Sequence, residues 1–291
     1  MESFEGQIAV ITGAASGIGR ATARLLAAQG ATLMLADIER PALDDAVAEM
    51  TALGARTLGH VTDVSSAEQV EALAERTVSE FGGVNVIMNN AGVAAGGTSW
   101  EIDLPTWEWV IGVDLWSVVH GIRSFVPRII ASGGGHVINT ASMAGVSSMP
   151  FMGPYNVSKH AVVTLSETMY HELAMLHPEV GVTVVCPGWV KTQINRSERN
   201  RPESTAVPGA TLADLDTGEL DGTTLENAGS LVDDLIANGL DPDDVAALVV
   251  EAVRHGRFYV LTHPEWTPMV ARRIELMLSG GNPEMSIPGL M

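Results

Sequence analysis

Ile8-Ala-Val-Ile11 runs straight into Thr12-Gly-Ala-Ala-Ser-Gly-Ile-Gly19, and the reading of this stretch decides the fold. Four apolar residues bounded by Thr-Gly read as a buried parallel strand entering a turn. Ile18 to Gln29, ended by Gly30, reads as the helix that follows. Gly13, Gly17 and Gly19 let the backbone come close to a ligand, and the free N–H groups of a helix start suit a pyrophosphate. A glycine-rich turn by itself reads equally well as a tight connection. Set between strand and helix, it becomes a dinucleotide-binding fingerprint.

The alternation continues outward from there. Strands are expected at 33–36, 57–61, 84–88, 136–140, 182–186 and 258–261, and helices at 41–53, 67–81, 105–132, 154–176 and 242–255. Repeated βα units with right-handed crossovers imply a doubly wound parallel sheet with helices on both faces, an α/β Rossmann fold in which 1–291 form one domain. The rhythm breaks over 193–240, rich in Gly, Thr, Asp, Pro and Asn, and so long an irregular stretch inside a domain is expected to act as a substrate lid. Residues 264–291 read as a C-terminal extension, and 280–291, without periodicity, are expected to run over the surface.

Composition narrows the partners. A formal charge of −19, from 16 basic and 35 acidic residues, repels phosphate backbones and anionic lipid, which argues against nucleic acid and membrane surfaces. The N-terminus lacks a basic flank and no apolar run approaches 18 residues, so a cytoplasmic protein is expected. Cys186 is the single cysteine and fits a reducing compartment; within Val182-Thr-Val-Val-Cys186 it reads as a buried small hydrophobe. No Cys/His cluster among the 8 histidines has zinc-ligand spacing, so no metal is expected.

Proton chemistry is suggested by Gly153-Pro-Tyr-Asn-Val-Ser-Lys-His160, in a chain with two lysines and three tyrosines. At spacing i, i+4, Tyr155 and Lys159 share a helix face, and the ammonium is expected to lower the phenol pKa from its usual value of about 10. The blander reading is an amphipathic helix with one polar pair. Asp37 ends the second strand, 18 residues beyond Gly19, where a carboxylate accepts ribose hydroxyls and repels a 2′-phosphate. The alternative is a helix N-cap before Pro41.

These motifs together resemble the short-chain dehydrogenase/reductase family, of the single-domain type with Thr-Gly-x-x-x-Gly-x-Gly and Tyr-x-x-x-Lys. The resemblance is close from Gly6 to Thr192 and looser from Leu240 to Leu261. It implies an NAD site in which Gly13, Ser16, Gly17, Ile18, Gly19, Asp37 and Ile38 hold the adenosine and pyrophosphate, and Asp63-Val64 contact adenine. It further implies that Asn90, Ala91 and Gly92, from Asn89-Asn-Ala-Gly92, support the cofactor with Thr140. Pro187, Gly188, Val190 and Thr192 would hold the nicotinamide carboxamide. Ser142, 13 residues before Tyr155, would hydrogen-bond the substrate oxygen while Tyr155 exchanges its proton and Lys159 also binds the nicotinamide ribose. Where relatives place an asparagine, this chain has Val113-Asp114-Leu115. Asp114 is therefore the candidate fourth catalytic residue, acting through its main-chain carbonyl, with a carboxylate that offsets the Lys159 charge if both are ionised and close.

Trp100, Trp107, Trp109 and Trp116 read as core and subunit-interface packing, with substrate stacking the alternative, and Met143, Met149, Phe151, Met152 and Trp189 as an apolar substrate pocket, with packing within the loop the alternative. The expected activity is NAD-dependent interconversion of a hydrophobic secondary alcohol and its ketone. A 3-oxoacyl thioester reductase is disfavoured by Asp37, by Ala15 and Ser16 where a basic residue would help bind a 2′-phosphate, and by an acidic surface facing an acidic carrier. A nucleotide-sensing regulator without catalysis is disfavoured by the joint presence of Ser142, Tyr155 and Lys159. The resemblance also implies a homo-oligomer, a tetramer or else a dimer, built on the helices around 107–132 and 154–177.

Overall fold

Strand β1 (Ile8–Thr12) sits mid-sheet because both of its faces are apolar: Ala9 and Ile11 enter one core cluster while Val10 enters the other. The same division recurs in β2 (Thr32–Asp37), with Leu33 and Leu35 on one side and Met34 and Ala36 on the other, and in β4 (Val86–Asn89). The computed structural model describes residues 1, 3–202 and 232–285. Its sheet has seven parallel strands in the order β3-β2-β1-β4-β5-β6-β7, completed by β3 (Thr57–Val61), β5 (Gly135–Thr140), β6 (Val180–Cys186) and β7 (Tyr259–Leu261). Helices α1 (Gly17–Ala28), α2 (Arg40–Ala52) and the helix Pro242–Arg254 contribute to the first core; α3 (Ala67–Phe81), α5 (Ser117–Ala131) and α6 (Gly153–Leu176) contribute to the second. This is the expected doubly wound architecture. Between β1 and β4 the strand order reverses, which opens a crevice at the carboxyl ends of the strands.

Two helices differ from the sequence expectation. The long helix foreseen over 105–132 is α4 (Leu104–Ile111), a π-helical turn Gly112–Trp116 and then α5, with the Ser117 N–H reaching back to the Gly112 carbonyl. A π turn accommodates one more residue than an α turn, and it carries Asp114, which is fully buried. The helix Thr267–Ser279 was not foreseen within the C-terminal extension. None of its residues is fully buried, although Val270 packs against the core beside β6, and Pro268 in its first turn and Gly280 at φ 71° frame it. Residues 203–231 of the expected lid and 286–291 of the expected surface tail lie outside the described residues. Among the described residues no helix is long and apolar enough to cross a membrane, and no group of His, Cys, Asp and Glu has the makings of a metal site.

Candidate active site

The floor of the crevice is the glycine turn, and its glycines are first required by the protein itself. A Cβ on Gly13, at φ 63°, would lie 2.8 Å from Ala91 Cα, and one on Gly19 would lie 2.3 Å from the Gly13 carbonyl oxygen and 2.6 Å from Asn90 Nδ2. Gly13 and Gly19 thus permit the β1 turn, α1 and the segment after β4 to interlock. Asn90 locks the three strand ends. Its amide donates to the Thr12 and Gly13 carbonyls at 3.1 and 3.3 Å, and its oxygen accepts from Thr140 Oγ1 at 3.2 Å. Ser16 caps α1 without a side-chain hydrogen bond, which leaves the first-turn N–H groups around Gly17 and Ile18 for another acceptor.

Beside this floor lies the cluster around Tyr155 and Lys159. Helix α6 presents Tyr155, Ser158 and Lys159; Lys159 is buried, with Nζ 5.4 Å from the centre of the Tyr155 ring. Its ammonium lies 3.4 Å from Asp114 Oδ2 and donates to the Thr140 carbonyl at 3.4 Å. The other carboxylate oxygen of Asp114 accepts the Val93 N–H at 2.8 Å, and Ser158 Oγ stands 3.5 Å from Oδ2. Gly92 packs against the same ion pair. The side chain of Asp114, and not its carbonyl alone, is therefore part of the cluster. Ser142 Oγ accepts from the Ala144 N–H at 3.1 Å and donates to the Pro187 carbonyl at 3.3 Å, bringing the ends of β5 and β6 together.

The electrostatics correct one expectation. Burial is the strongest influence on the Tyr155 phenol and pushes its pKa up; Lys159 and Ser142 pull it down, while Asp114 pushes it up again, so the net direction is upward. Burial likewise pushes Asp114 up against the pull of Lys159. Lys159 is pulled down by burial but ends above its ordinary value because Asp114 and Tyr155 favour its charge. Spacing alone showed the lysine but not the partner that shares its charge. Cys186 is fully buried and its thiol is pushed up to about 12, as fits an inert hydrophobe.

At the far end of the crevice, Asp37 accepts the Ala15 N–H at 3.0 Å and the Glu39 N–H at 3.0 Å, so it ties β2 to the glycine turn; the N-cap of α2 is Glu39 instead. Ile38 beside it is exposed. Asp63 accepts from Ser65 at 2.9 and 2.6 Å, and Val64 is buried beneath it. The turn after β6 is held by the last strand: Gly188 N–H donates to Thr262 Oγ1 at 3.1 Å, and His263 occupies the space a Cβ on Gly188 would need. Val190 pairs with Leu240, and Thr192 packs on Gly17.

Sequence reasoning missed the short 3₁₀ segment Ile194–Asn200, which crosses between these regions. Ser197 Oγ accepts the Ala94 N–H at 3.0 Å, Arg199 and Asn200 bind Glu39 at 2.9 and 3.0 Å, and Arg201 donates to Thr106 at 2.7 Å beneath the Trp109 ring. No motif announces contacts between residues 160 positions apart. Of the tryptophans read as packing, Trp109 is buried, whereas Trp100 is 82% exposed and Trp116 is exposed too. Met143 is a core residue packed with Val162 and Val184, not part of a pocket lining, and Trp189 lies edge-on to Trp266. Phe151 has φ 63°, a left-handed conformation that a bulky side chain adopts at some cost, and its carbonyl accepts the Gly97 N–H at 2.9 Å.

Known proteins are similar to this chain in fold and sequence. A short chain dehydrogenase/reductase from Burkholderia phymatum, crystallised in complex with NAD, superposes with a TM-score of 0.91 at 42% identity, covering 99% of each chain. The CLA biosynthesis dehydrogenase/reductase of Lactiplantibacillus plantarum is 31% identical over 288 residues, 99% of this chain and 98% of the relative. The cyclohexanol dehydrogenase of an Acinetobacter species is 36% identical over 192 residues, 66% of this chain and 76% of the relative. Residues 7–203 match the family described as short chain dehydrogenase. On its fold, its motifs and these likenesses, the chain belongs to the short-chain dehydrogenase/reductase family of oxidoreductases.

Proposed function

We propose that this protein is an NAD-dependent dehydrogenase that interconverts a hydrophobic secondary alcohol and its ketone. The observation that carries this reading is the buried Lys159–Asp114 pair set beside Tyr155 and linked through the Thr140 carbonyl to the end of β5. The residues present fit a dinucleotide: α1 begins without a side-chain cap, and Asp37, with the exposed Ile38 next to it, stands where a ribose and a purine would meet the sheet edge. Gly13 to Gly19, Asp37, Asp63-Val64, Asn90 to Gly92, Thr140 and the turn Pro187 to Thr192 would hold it. Bound nicotinamide would supply the hydride acceptor or donor.

The chain's own residues handle the proton. In alcohol oxidation the Tyr155 phenolate takes the hydroxyl proton, and in ketone reduction the phenol returns it; Ser142 exchanges its bond to the Pro187 carbonyl for one to the substrate oxygen. Lys159 favours the phenolate, and Asp114 moderates that effect while holding the ammonium in place. Because the phenol pKa is raised, oxidation gains a base only as pH rises, so oxidation should be fastest in alkali and reduction nearer neutrality. The likeness to a cyclohexanol dehydrogenase supports a cyclic or otherwise apolar secondary alcohol. The test is NADH formation, followed by absorbance, across linear, cyclic and aromatic secondary alcohols; the absence of turnover with any of them would reject the reading.

A further inference from the structure

Arg40 lies three residues beyond Asp37 in the sequence, and the structure brings two further cations to that end of the crevice, Arg20 and Arg199, each held by a carboxylate. Arg20 donates through Nη1 to the Ala15 carbonyl at 3.4 Å while its Nε is bound by Glu49 at 2.7 Å. Arg199 arrives from the far side of the chain and binds Glu39 Oε1 through Nε and Nη2, both at 2.9 Å, with Asn200 Nδ2 on the same oxygen at 3.0 Å. Arg40 itself is exposed and leans on Asp44 at 3.8 Å. Glu39 is only two residues beyond Asp37, and its N–H donates to the Asp37 carboxylate.

We propose that Glu39 is a cofactor-selecting residue: by occupying Arg199 and adding its own charge beside Asp37, it denies a 2′-phosphate the cation that would otherwise bind it. The argument rests on the dinucleotide reading above and extends it from Asp37 to an ion pair that spans the chain. A guanidinium beside a ribose is well suited to phosphate, since its planar fork bonds phosphate oxygens in pairs. Arg199 is kept from that role because the two donors on one edge of the fork are given to Glu39. Its placement does not depend on Glu39, however. Nη1 also donates to the Gln193 and Arg196 carbonyls at 3.0 and 2.8 Å, so neutralising the glutamate leaves the guanidinium anchored at the crevice, with its other two donors held only by a neutral oxygen that a phosphate outcompetes. Burial pushes the Glu39 carboxyl up, but bonds from Asn200 and Arg199 pull it below its ordinary value, so it is charged at neutral pH.

The test compares wild type, Glu39→Gln, Arg199→Met and the double variant by titrating NADH and NADPH fluorescence to obtain Kd, with thermal melts to establish that all four are folded. In Glu39→Gln the ratio of Kd for NADPH to Kd for NADH should fall by about tenfold or more, the scale of one charge-assisted bond gained. Adding Arg199→Met should restore most of the ratio, and Arg199→Met alone should leave it at or above the wild-type value. A ratio within about twofold of wild type in Glu39→Gln, well below one charge-assisted bond, overturns the proposal. So does a fall in the double variant as large as that in Glu39→Gln, which would assign the effect to lost charge alone. Binding needs no turnover, so a wild type that binds NADH but oxidises no alcohol would reject the catalytic reading while leaving this test decisive.

Discussion

The two ends of the crevice use the same kind of contact under opposite conditions. Lys159 and Asp114 pair at 3.4 Å with side chains 4% and 0% exposed, whereas Arg199 and Glu39 pair at 2.9 Å with side chains 35% and 34% exposed. In the interior a charge is costly, so neighbouring groups shift their protonation, which in the proposed mechanism lets the pair tune a proton transfer. At the surface water screens the charges, neither group is forced to change state, and the pair is free to discriminate between ligands of different charge. Burial, more than distance, decides which use an ion pair serves.

The buried end should break hardest. Tyr155→Phe keeps the ring beside Lys159 and deletes the exchangeable proton, so kcat should fall by about 10²-fold or more, the usual scale of general acid–base catalysis. NADH binding should persist in a fluorescence titration. Normal turnover by the folded variant would remove Tyr155 from the mechanism.

At the exposed end the largest effect belongs to Asp37. Asp37→Ala removes the carboxylate that stands between the glycine turn and Glu39, so the kcat/KM preference for NAD over NADP should narrow by about tenfold. Steady-state kinetics with both cofactors reads this directly. An undiminished preference would place the selection elsewhere, with Glu39 the first candidate.

The contrast also explains what the sequence disclosed. Tyr155 and Lys159 lie one turn apart on α6, and Thr12 to Gly19 sit in one strand–turn–helix unit, so local periodicity suffices to find them. Asp114 was visible as a departure from a pattern, but its contact with Lys159 depends on a π turn, which no hydrophobic period encodes. Arg199, Asn200 and Arg201 meet Glu39 and Thr106 only because the chain after β6 runs back across the carboxyl ends of the strands to the segments that follow β2 and β4, and nothing in the amino-acid order links them. The helix Thr267–Ser279 was legible in principle: Val270, Ile274 and Met277 recur at helical spacing and Pro268 and Gly280 mark its ends, but it follows the last strand, where the alternation of strand and helix gives no further cue.

A smaller effect tests the role of Asp114. In Asp114→Asn one oxygen can still accept the Val93 N–H, while the charge facing Lys159 is lost, so activity should stay within about tenfold of wild type. The sign of the pH effect follows from the cluster. Asp114 raises the Tyr155 pKa, so removing it lowers that pKa, and the acidic limb of the alcohol-oxidation profile should move to lower pH. A hundredfold loss would give the carboxylate a direct catalytic role, and an unmoved limb would mean that it is uncharged in the working enzyme.

The smallest expected effect sharpens the comparison most, because it separates recognition from stability. Glu39 and Arg199 are each about one-third exposed, and such pairs contribute roughly 0–1 kcal/mol once screening and side-chain entropy are counted. Glu39→Gln should therefore shift the urea midpoint little, and less still in high salt. Asp114→Asn leaves an ammonium in the interior without its counter-charge, a change that typically costs about 3 kcal/mol or more unless the lysine gives up its proton. That escape is itself measurable. Lys159 lies above its ordinary pKa because of Asp114 and Tyr155, so without Asp114 it should lose its proton at lower pH, and the variant's stability deficit should shrink as the medium becomes alkaline. Parallel urea titrations of the two variants at neutral and alkaline pH read both predictions. Equal destabilisation of the two, or a deficit in Asp114→Asn that does not change with pH, would contradict the view that burial divides the two pairs between proton control and ligand choice.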